Sequence, residues 1–336
     1  MKSKALLQAL DFVRGAVPTD SDVFMIDGST VRTTDGNWWA TASLPEPCQG
    51  TMVLQFSNFR TFVKGLHDEE DVGLAQKNVE CTIKVSSGIN KIMLQSVEVP
   101  EIPDFKVKQK VSGSGHELLE AYKSLKHLIR GDLSRAGLLW GWANGNRELI
   151  ASDGSRVGGR ACGFTNLDVP LMVLGEICRL LSLQMSEKVT FEIGDEMLRV
   201  SLVNGIFAAK LPKGERFEKT SYEKMREKMA NAEQIKASKA DLLYALNQVE
   251  MVASESIVKI MNGGPDSLLL EARDGKGGKG IAKVEKAGEF TGSFLINLKY
   301  LKEALNVRSE DFLEINIGQS MIEIKDQTGW EMLGRS

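Results

Sequence analysis

Three Asp-Gly turns mark this chain. Thr34-Asp35-Gly36, Ser152-Asp153-Gly154 and Arg273-Asp274-Gly275 each lie between two strand-like runs, with their aspartates 118 and 121 residues apart. An amphipathic helical stretch precedes each turn, near 4–16, 116–130 and 240–254, and a second follows, near 57–67, 174–185 and 297–308. Asp-Gly between alternating segments is a hairpin signal, because glycine tolerates the positive φ that such turns need. A chain of 336 residues exceeds one ordinary hydrophobic core. The repeat predicts its division into three modules at 1–112, 113–232 and 233–336, each with two helices and several strands.

The apolar pattern fills in each module. In the first, Leu6, Leu10 and Val13 form one helical stripe. Strands are expected at 23–26, 29–33, 38–44 and 51–55, and Ser57 reads as the N-cap of the second helix. Residues 79–85 and 91–96 read as a hairpin, and Val111-Ser112-Gly113-Ser114-Gly115 as a linker. The second module repeats the order, with strands at 136–142, 148–152, 156–164, 189–193 and 197–203. The charged stretch 215–236 then serves as a connector. Helices at 239–254 and 297–308 and strands at 267–272, 281–286, 292–296, 312–317 and 321–325 make the third. Strands in runs joined by tight turns favour antiparallel sheets, so the fold class is α+β with both helices of a module on one sheet face.

Composition narrows the function classes. The chain has 42% hydrophobic and 26% charged residues, as a soluble globular protein does. No apolar run reaches the roughly 20 residues of a membrane span. Asp11 and Arg14 interrupt the N-terminal apolar stretch, which therefore reads as a first helix rather than a signal peptide, and a cytoplasmic location is expected. Cys48, Cys81, Cys162 and Cys178 form no CxxC pair, so reduced structural thiols are expected. His67, His116 and His127 have no metal-binding spacing and read as surface histidines. No metal or cofactor is expected.

The net charge of −3 gives no global basic footprint, but its distribution is uneven. Eleven basic residues sit on the predicted helices: Lys4, Arg14, Arg60, Lys64, Lys123, Lys126, Arg130, Arg179, Lys299, Lys302 and Arg308. Seven acidic residues accompany them. Basic residues spaced along helix faces track phosphates without reading bases. The helix at 240–254 has Asp241 and Glu250 and no internal base, which interrupts the pattern.

Two motifs with a catalytic look are better explained by turns. Asp274-Gly275-Lys276-Gly277-Gly278-Lys279-Gly280 lacks GxxxxGK[ST], since Ile281 stands where a metal-binding hydroxyl would be, and it joins two strands instead of opening a helix. Ser152-Asp153-Gly154-Ser155 carries hydroxyls, but no histidine lies near it in sequence to complete a triad.

The run from Glu148 to Val157, Glu-Leu-Ile-Ala-Ser-Asp-Gly-Ser-Arg-Val, resembles the middle-domain signature of bacterial sliding clamps, the β subunit of DNA polymerase III, which is close to L-x-A-T-D-G-H-R-L. Ile206-Phe207-Ala208-Ala209-Lys210-Leu211, Gly214-Glu215-Arg216-Phe217 and Tyr222 resemble the family's F-x-x-K-L and G-x-F-P-D-Y segments. In the third module Leu242 to Leu246, Asn297 to Leu301 and Ile322-Glu323-Ile324 are similar to their counterparts. Ser155 replaces the family's histidine, the Phe-Pro-Asp-Tyr run is interrupted, and the terminal Trp330-Glu331-Met332-Leu333-Gly334-Arg335-Ser336 departs from the family's tail. A divergent member encoded by a phage or mobile element fits these departures.

The resemblance implies a head-to-tail homodimeric ring of three clamp domains per chain, with helices lining a hole that holds duplex DNA. Arg14, Arg60, Lys64, Lys123, Lys126, Arg130, Arg179, Lys299 and Lys302 would then face DNA. It further implies a pocket for a short peptide of the polymerase or clamp loader, made by Ser152, Gly154, Ser155, Arg156, Val157, Tyr222, Met225, Met321, Met332 and Leu333. The ring contact is expected between strand 91–96 of one copy and strand 267–272 of the other. The protein is then a non-catalytic processivity factor without membrane association. Two rival readings remain at this stage. One is a clamp-fold peptide scaffold that does not encircle DNA, and the other is a nucleotide-binding enzyme using the loop at 275–280.

Overall fold

A computed structural model of the chain describes all residues except 18, 21, 78, 129–139, 185–187, 214–218, 255 and 335–336. The first run of elements is α1 (Ser3–Val13), β1 (Val23–Asp27), β2 (Thr30–Thr34), β3 (Trp38–Ser43), β4 (Thr51–Gln55), α2 (Phe56–Lys64), β5 (Gly73–Lys77), β6 (Glu80–Val85) and β7 (Gly88–Met93). The second is β8 (Gln109–Ser114), α3 (Gly115–Leu125), β9 (Trp140–Ala143), β10 (Glu148–Ser152), β11 (Arg156–Ala161), β12 (Asp168–Pro170), α4 (Leu171–Gln184), β13 (Lys188–Ile193), β14 (Met197–Leu202) and β15 (Gly205–Lys210). After α5 (Lys219–Lys228) come β16 (Glu233–Ser238), α6 (Lys239–Glu250), β17 (Ile257–Gly264), β18 (Ser267–Arg273), β19 (Lys279–Gly288), β20 (Ser293–Asn297), α7 (Leu298–Asn306), β21 (Phe312–Ile317), β22 (Met321–Asp326) and β23 (Gly329–Gly334). A helix, four strands, a helix and three strands thus recur three times, as the repeated turns predict. Every described ladder between named strands is antiparallel.

By compactness the chain divides into two units, residues 1–119 with 172–213 and residues 120–171 with 214–336. The division runs through the second repeat because strands pair across repeats. In the first unit, β3 pairs with β15, which gives an eight-stranded sheet of order β4-β1-β2-β3-β15-β14-β13-β8, and β5-β6-β7 form a separate sheet. In the second unit, β11 pairs with β23 within a twelve-stranded sheet of order β12-β9-β10-β11-β23-β22-β21-β16-β19-β18-β17-β20.

Helices α1 and α2 pack together, with α1 over β2 and β3, while α6 packs on α7 and over β18 and β19. The stripe of Leu6, Leu10 and Val13 is fully buried, as its spacing predicts. The core of the third repeat joins Leu242, Leu246 and Val249 of α6 to strand residues such as Val258, Leu270, Ile315 and Ile324.

Several expected elements are corrected. Ser57 is not the cap of α2: it lies inside the first turn, and the Asp22 carboxylate accepts its N–H at 3.1 Å and its hydroxyl at 2.9 Å. The presumed linker at 111–115 is mostly strand β8, an edge strand on β13, where Ser112 and Thr190 hydroxyls meet at 2.9 Å. Small residues hid its strand character. The first-module hairpin turns at 86–87, so its second strand is β7 and not 91–96. The charged connector holds α5 and the start of β16. The expected strand at 136–142 is seen from Trp140, since 136–139 lie outside the described residues.

An extended strap, residues 94–108, crosses the face of the eight-stranded sheet. Gln95 donates its N–H to the Val53 carbonyl at 2.8 Å, and Val99 packs with Val23, Met25 and Val53. Ile102 and Phe105 then pack on Trp39, Met197 and Ala208, and the Lys108 N–H reaches the Ile193 carbonyl at 2.9 Å. Pro100 and Pro103 hold the preceding residues extended.

At the β3·β15 seam Gly205 opposes Ala42, and a Cβ on Gly205 would lie 2.3 Å from the Thr41 carbonyl oxygen and 2.8 Å from the Phe12 ring. Overpacking of that kind costs about 1–3 kcal/mol. Gly205→Ala is expected to lower the unfolding free energy of the first unit by that amount in chemical denaturation, seen as a lower midpoint at unchanged slope. An unchanged midpoint would mean that the seam yields freely.

Candidate functional site

In all three Asp-Gly turns the aspartate carboxylate accepts backbone N–H groups of its own turn, the third turn being one residue longer. Asp35 Oδ1 accepts from Asn37 N at 2.8 Å and Trp38 N at 2.7 Å, and Asp153 Oδ1 accepts from Ser155 N at 2.9 Å and Arg156 N at 3.1 Å. Asp274 Oδ1 accepts from Lys276 N at 2.8 Å and from Gly278 N at 2.5 Å. The aspartate side chain closes its own turn in each repeat, so these are structural residues. In the glycine-rich loop Asp274 occupies amides that a phosphate would need, which counts against a nucleotide cradle there.

The basic helix residues divide into two groups. Arg14, Lys64 and Lys126 are exposed, with no ion pair among the described residues; Lys123 is exposed beside Glu120 at 2.9 Å, and Lys299 is exposed 4.0 Å from Glu303. The other group holds helices together. Arg60 of α2 grips Asp11 of α1 through Nε at 2.7 Å and Nη2 at 2.6 Å. Arg179 of α4 donates to the Asp11 and Phe12 carbonyls at 3.0 and 3.3 Å, closing the C-terminal end of α1, and also holds Glu176. Lys302 of α7 binds Asn247 and Glu250 of α6, each at 2.7 Å. Arg60, Arg179 and Lys302 are therefore poorly available to a phosphate. Arg308, counted with the helix surface, is instead 2% exposed. Arg130 lies outside the described residues.

The residues expected to form a peptide pocket meet at the β11·β23 seam, where Arg156 opposes Leu333 and Val157 opposes Met332. Ser152, Arg156, Val157, Met332 and Leu333 are buried in or beneath the sheet. The Ser152 hydroxyl donates to the Arg156 carbonyl at 2.8 Å and accepts from Gly154 N at 3.1 Å. Met225 and Met321 are half-buried. Tyr222 is stacked on Trp330 with ring centres 5.6 Å apart and meets the Trp142 ring edge-on at 5.7 Å.

A buried ionic cluster underlies this seam. Glu331 is fully buried; His127 Nε2 lies 2.9 Å from its Oε2, Arg156 Nη1 is 3.7 Å from Oε1, and Arg160 Nη2 and Arg308 Nη2 are each 3.8 Å from Oε2. Arg156 also reaches Asp153 at 3.0 Å, Glu303 at 2.7 Å and the His127 carbonyl at 3.1 Å, with its guanidinium 4.2 Å above the Tyr300 ring. Burial pushes the Arg160 guanidinium down to about 9, with Arg308 adding to the shift and Glu331 opposing it. Arg308 is lowered by burial too, against Glu331 and Asp326. His127 is thus a half-buried partner of Glu331, not the surface histidine its spacing implied. None of His127, Arg160, Arg308, Trp142, Trp330 or Glu331 carries a sequence signal for this role, since the contacts join positions up to 204 residues apart.

No protein-family model and no curated protein sequence matches the chain. Solved structures do. The DNA polymerase III subunit beta of Pseudomonas aeruginosa matches with a TM-score of 0.83 at 15% identity, covering 100% of this chain and 98% of that one. The fold is that of the sliding clamps. A DNA polymerase III beta subunit of Thermotoga maritima matches equally well, with a TM-score of 0.83, 16% identity and coverage of 100% and 98%. The clamp likeness thus extends over all three repeats, beyond the stretch from 148 to 222 where the sequence resemblance is strongest.

Removing one member of a buried ionic cluster strands the charges left behind, at a cost of about 3–5 kcal/mol. Glu331→Ala is expected to destabilise the second unit by that much in chemical denaturation. A loss below about 1 kcal/mol would show that the three arginines do not depend on Glu331.

Proposed function

We propose that this chain is a divergent member of the bacterial sliding-clamp family, a non-catalytic processivity factor. Two copies of three domains, at 1–112, 113–232 and 233–336, close head to tail around duplex DNA. The observation that carries the reading is a pair of open strand edges at equivalent places in the repeat. The edge of β3 is taken by β15, and that of β11 by β23. The equivalent strand of the third repeat, β19, pairs with β18 over 279–285 but meets β16 only at 286–288. Its natural complement is β7, the equivalent of β15 and β23, which ends the three-stranded sheet. Exposed apolar side chains mark both: Ile281 on β19, 53% exposed, and Ile89 and Met93 on β7, 64% and 57% exposed.

Joining β19 of one copy to β7 of the next repeats the seam chemistry twice and covers both of these open edges. The expected strand at 267–272 is replaced in this role, because β18 is hydrogen-bonded on both sides. Arg14, Lys64, Lys126 and Lys299, with Lys123, supply a weak positive field on helix surfaces, which attracts phosphates without fixing register. The acidic remainder of the surface limits nonspecific DNA binding. A polymerase and a clamp loader dock through short peptides at the seam where Tyr222 and Trp330 meet.

Two measurements test this reading. Once on nicked circular DNA the protein is expected to stay through gel filtration and to leave when the circle is linearised. Lys64→Glu with Lys126→Glu should shorten that retention several-fold, and binding indifferent to DNA ends would favour a scaffold that does not encircle DNA. Light scattering should give twice the chain mass of 37.0 kDa. Ile281→Glu or Ile89→Glu should halve it, and a wild-type monomer at micromolar concentration contradicts the ring.

A further inference from the structure

Both internal seams follow one register. In β3·β15 Gly205 opposes Ala42 and Ala209 opposes Trp38, and the Ser43 N–H reaches the Asn204 carbonyl at 2.9 Å. In β11·β23 Gly329 opposes Arg160 and Leu333 opposes Arg156, and the Ala161 N–H reaches the Thr328 carbonyl at 3.1 Å. Each closing strand follows a two-residue hairpin turn and opens on its glycine. A Cβ on Gly205 or Gly329 would lie 2.3 Å from a carbonyl oxygen of the strand it joins, that of Thr41 or of Gly159. The β6–β7 hairpin turns the same way into Gly88, whose Cβ position meets no atom of its own chain within 4 Å. On the receiving side the Asp-Gly turns give the second anchor. Their aspartate N–H groups meet the carbonyls of Trp38, Arg156 and Gly278. Counted from these anchors, Gly88 of one copy opposes Ala282 of the next, Ile89 opposes Ile281, and Lys91 opposes Lys279. In both internal seams the place of that last pair is apolar: Ala208 faces Trp39, and Met332 faces Val157. At the contact between copies it holds two lysines, with Arg273 paired beside Lys279 on β18. Lys91 is held by Glu80 of its own copy at 3.0 Å, and Lys279 by Glu271 at 2.7 Å. Glu271 is shared with Arg273, also at 2.7 Å, so three cations meet two carboxylates.

We propose that Lys91 and Lys279 are an opening device: set opposite one another by the register of the internal seams, they keep the contact between copies weaker than the seams within a copy. This inference rests on the ring reading and adds to it the register of the contact and the charge that regulates it. Like charges directly opposite one another destabilise a strand pair. The two lysines are 59% and 44% exposed, so their repulsion is moderate and is screened by salt. Main-chain pairing and the Ile89 to Ile281 contact draw the strands together, and the lysine pair opposes them. A closed ring admits circular DNA only by opening. The contact between copies is the place where no covalent connection has to give, and it is the one seam with a repulsive pair built in.

Dissociation is read by sedimentation velocity on a dilution series of the full-length protein. Lys91→Glu makes the facing pair opposite in charge and is expected to lower the dimer Kd about fivefold or more, since it acts at both contacts of the ring. That gain should shrink as sodium chloride rises from about 50 to about 500 mM, and should be lost when Lys279→Gln is added. Lys91→Met, which matches Met332 of the second seam, takes its place should Lys91→Glu be unfolded by circular dichroism, and it too should tighten the dimer. An unchanged or higher Kd in the folded variant overturns the proposal, as does a Lys91→Glu gain that salt leaves unaltered. The register is tested by disulfide trapping under mild oxidation, where the four buried native cysteines do not compete. Ile89→Cys/Ile281→Cys should link copies faster than Ile89→Cys/Lys283→Cys, whose positions meet only after a slip of two residues. Equal or faster linking of the second pair, or none of the first, overturns the register. A wild-type monomer sinks the ring reading and this inference together. A stable wild-type dimer that the lysine variants fail to tighten sinks only the opening device.

Discussion

Main-chain pairing across repeats is the interaction on which this structure depends. Each repeat ends a sheet with an open strand, and β15 and β23 close the edges of β3 and β11 through five-residue ladders. Every ladder hydrogen bond contributes only about 1 kcal/mol net. Left open, those edges would expose rows of unpaired N–H and C=O groups that invite misassociation. The same logic makes β19 and β7 the places to look for a second copy.

The two internal seams are built from different materials. At β3·β15 the contacts are apolar: Trp38 meets Phe207 edge-on at 5.4 Å, and the strap adds Ile102 and Phe105 above Trp39. At β11·β23 they are ionic, with Glu331 among Arg156, Arg160 and Arg308 and latched to His127. Buried charges of this kind add little net stability over an apolar core, but a misregistered strand would leave them unpaired. The β11·β23 register is therefore enforced by electrostatics as well as by shape.

Much of the architecture was legible because it is local. Aspartates 35, 153 and 274 close their turns with their own side chains, so three turns at regular intervals reveal three repeats. The stripe of Leu6, Leu10 and Val13 placed α1 on the core. Long-range features were not legible. Arg60, Arg179 and Lys302 have the spacing of an exposed basic face, yet each is engaged with a residue on another helix. The motif from Glu148 to Val157 lies at the β11·β23 seam, but nothing in the sequence told that Val157, Met332 and Leu333 are buried there. Strand β8 escaped notice because serine and glycine read as a flexible tract until β13 is seen alongside.

The cross-repeat pairing also sets a timetable for synthesis. β3 ends at Ser43, while its neighbour β15 ends at Lys210. At roughly 5–20 residues per second, the ribosome takes on the order of 10–30 s to supply that neighbour. β11 waits a similar time for β23. Translation pauses inside either interval would leave a nascent chain with a bare hydrogen-bonding edge, making the middle of the message the stretch where chaperone protection matters most.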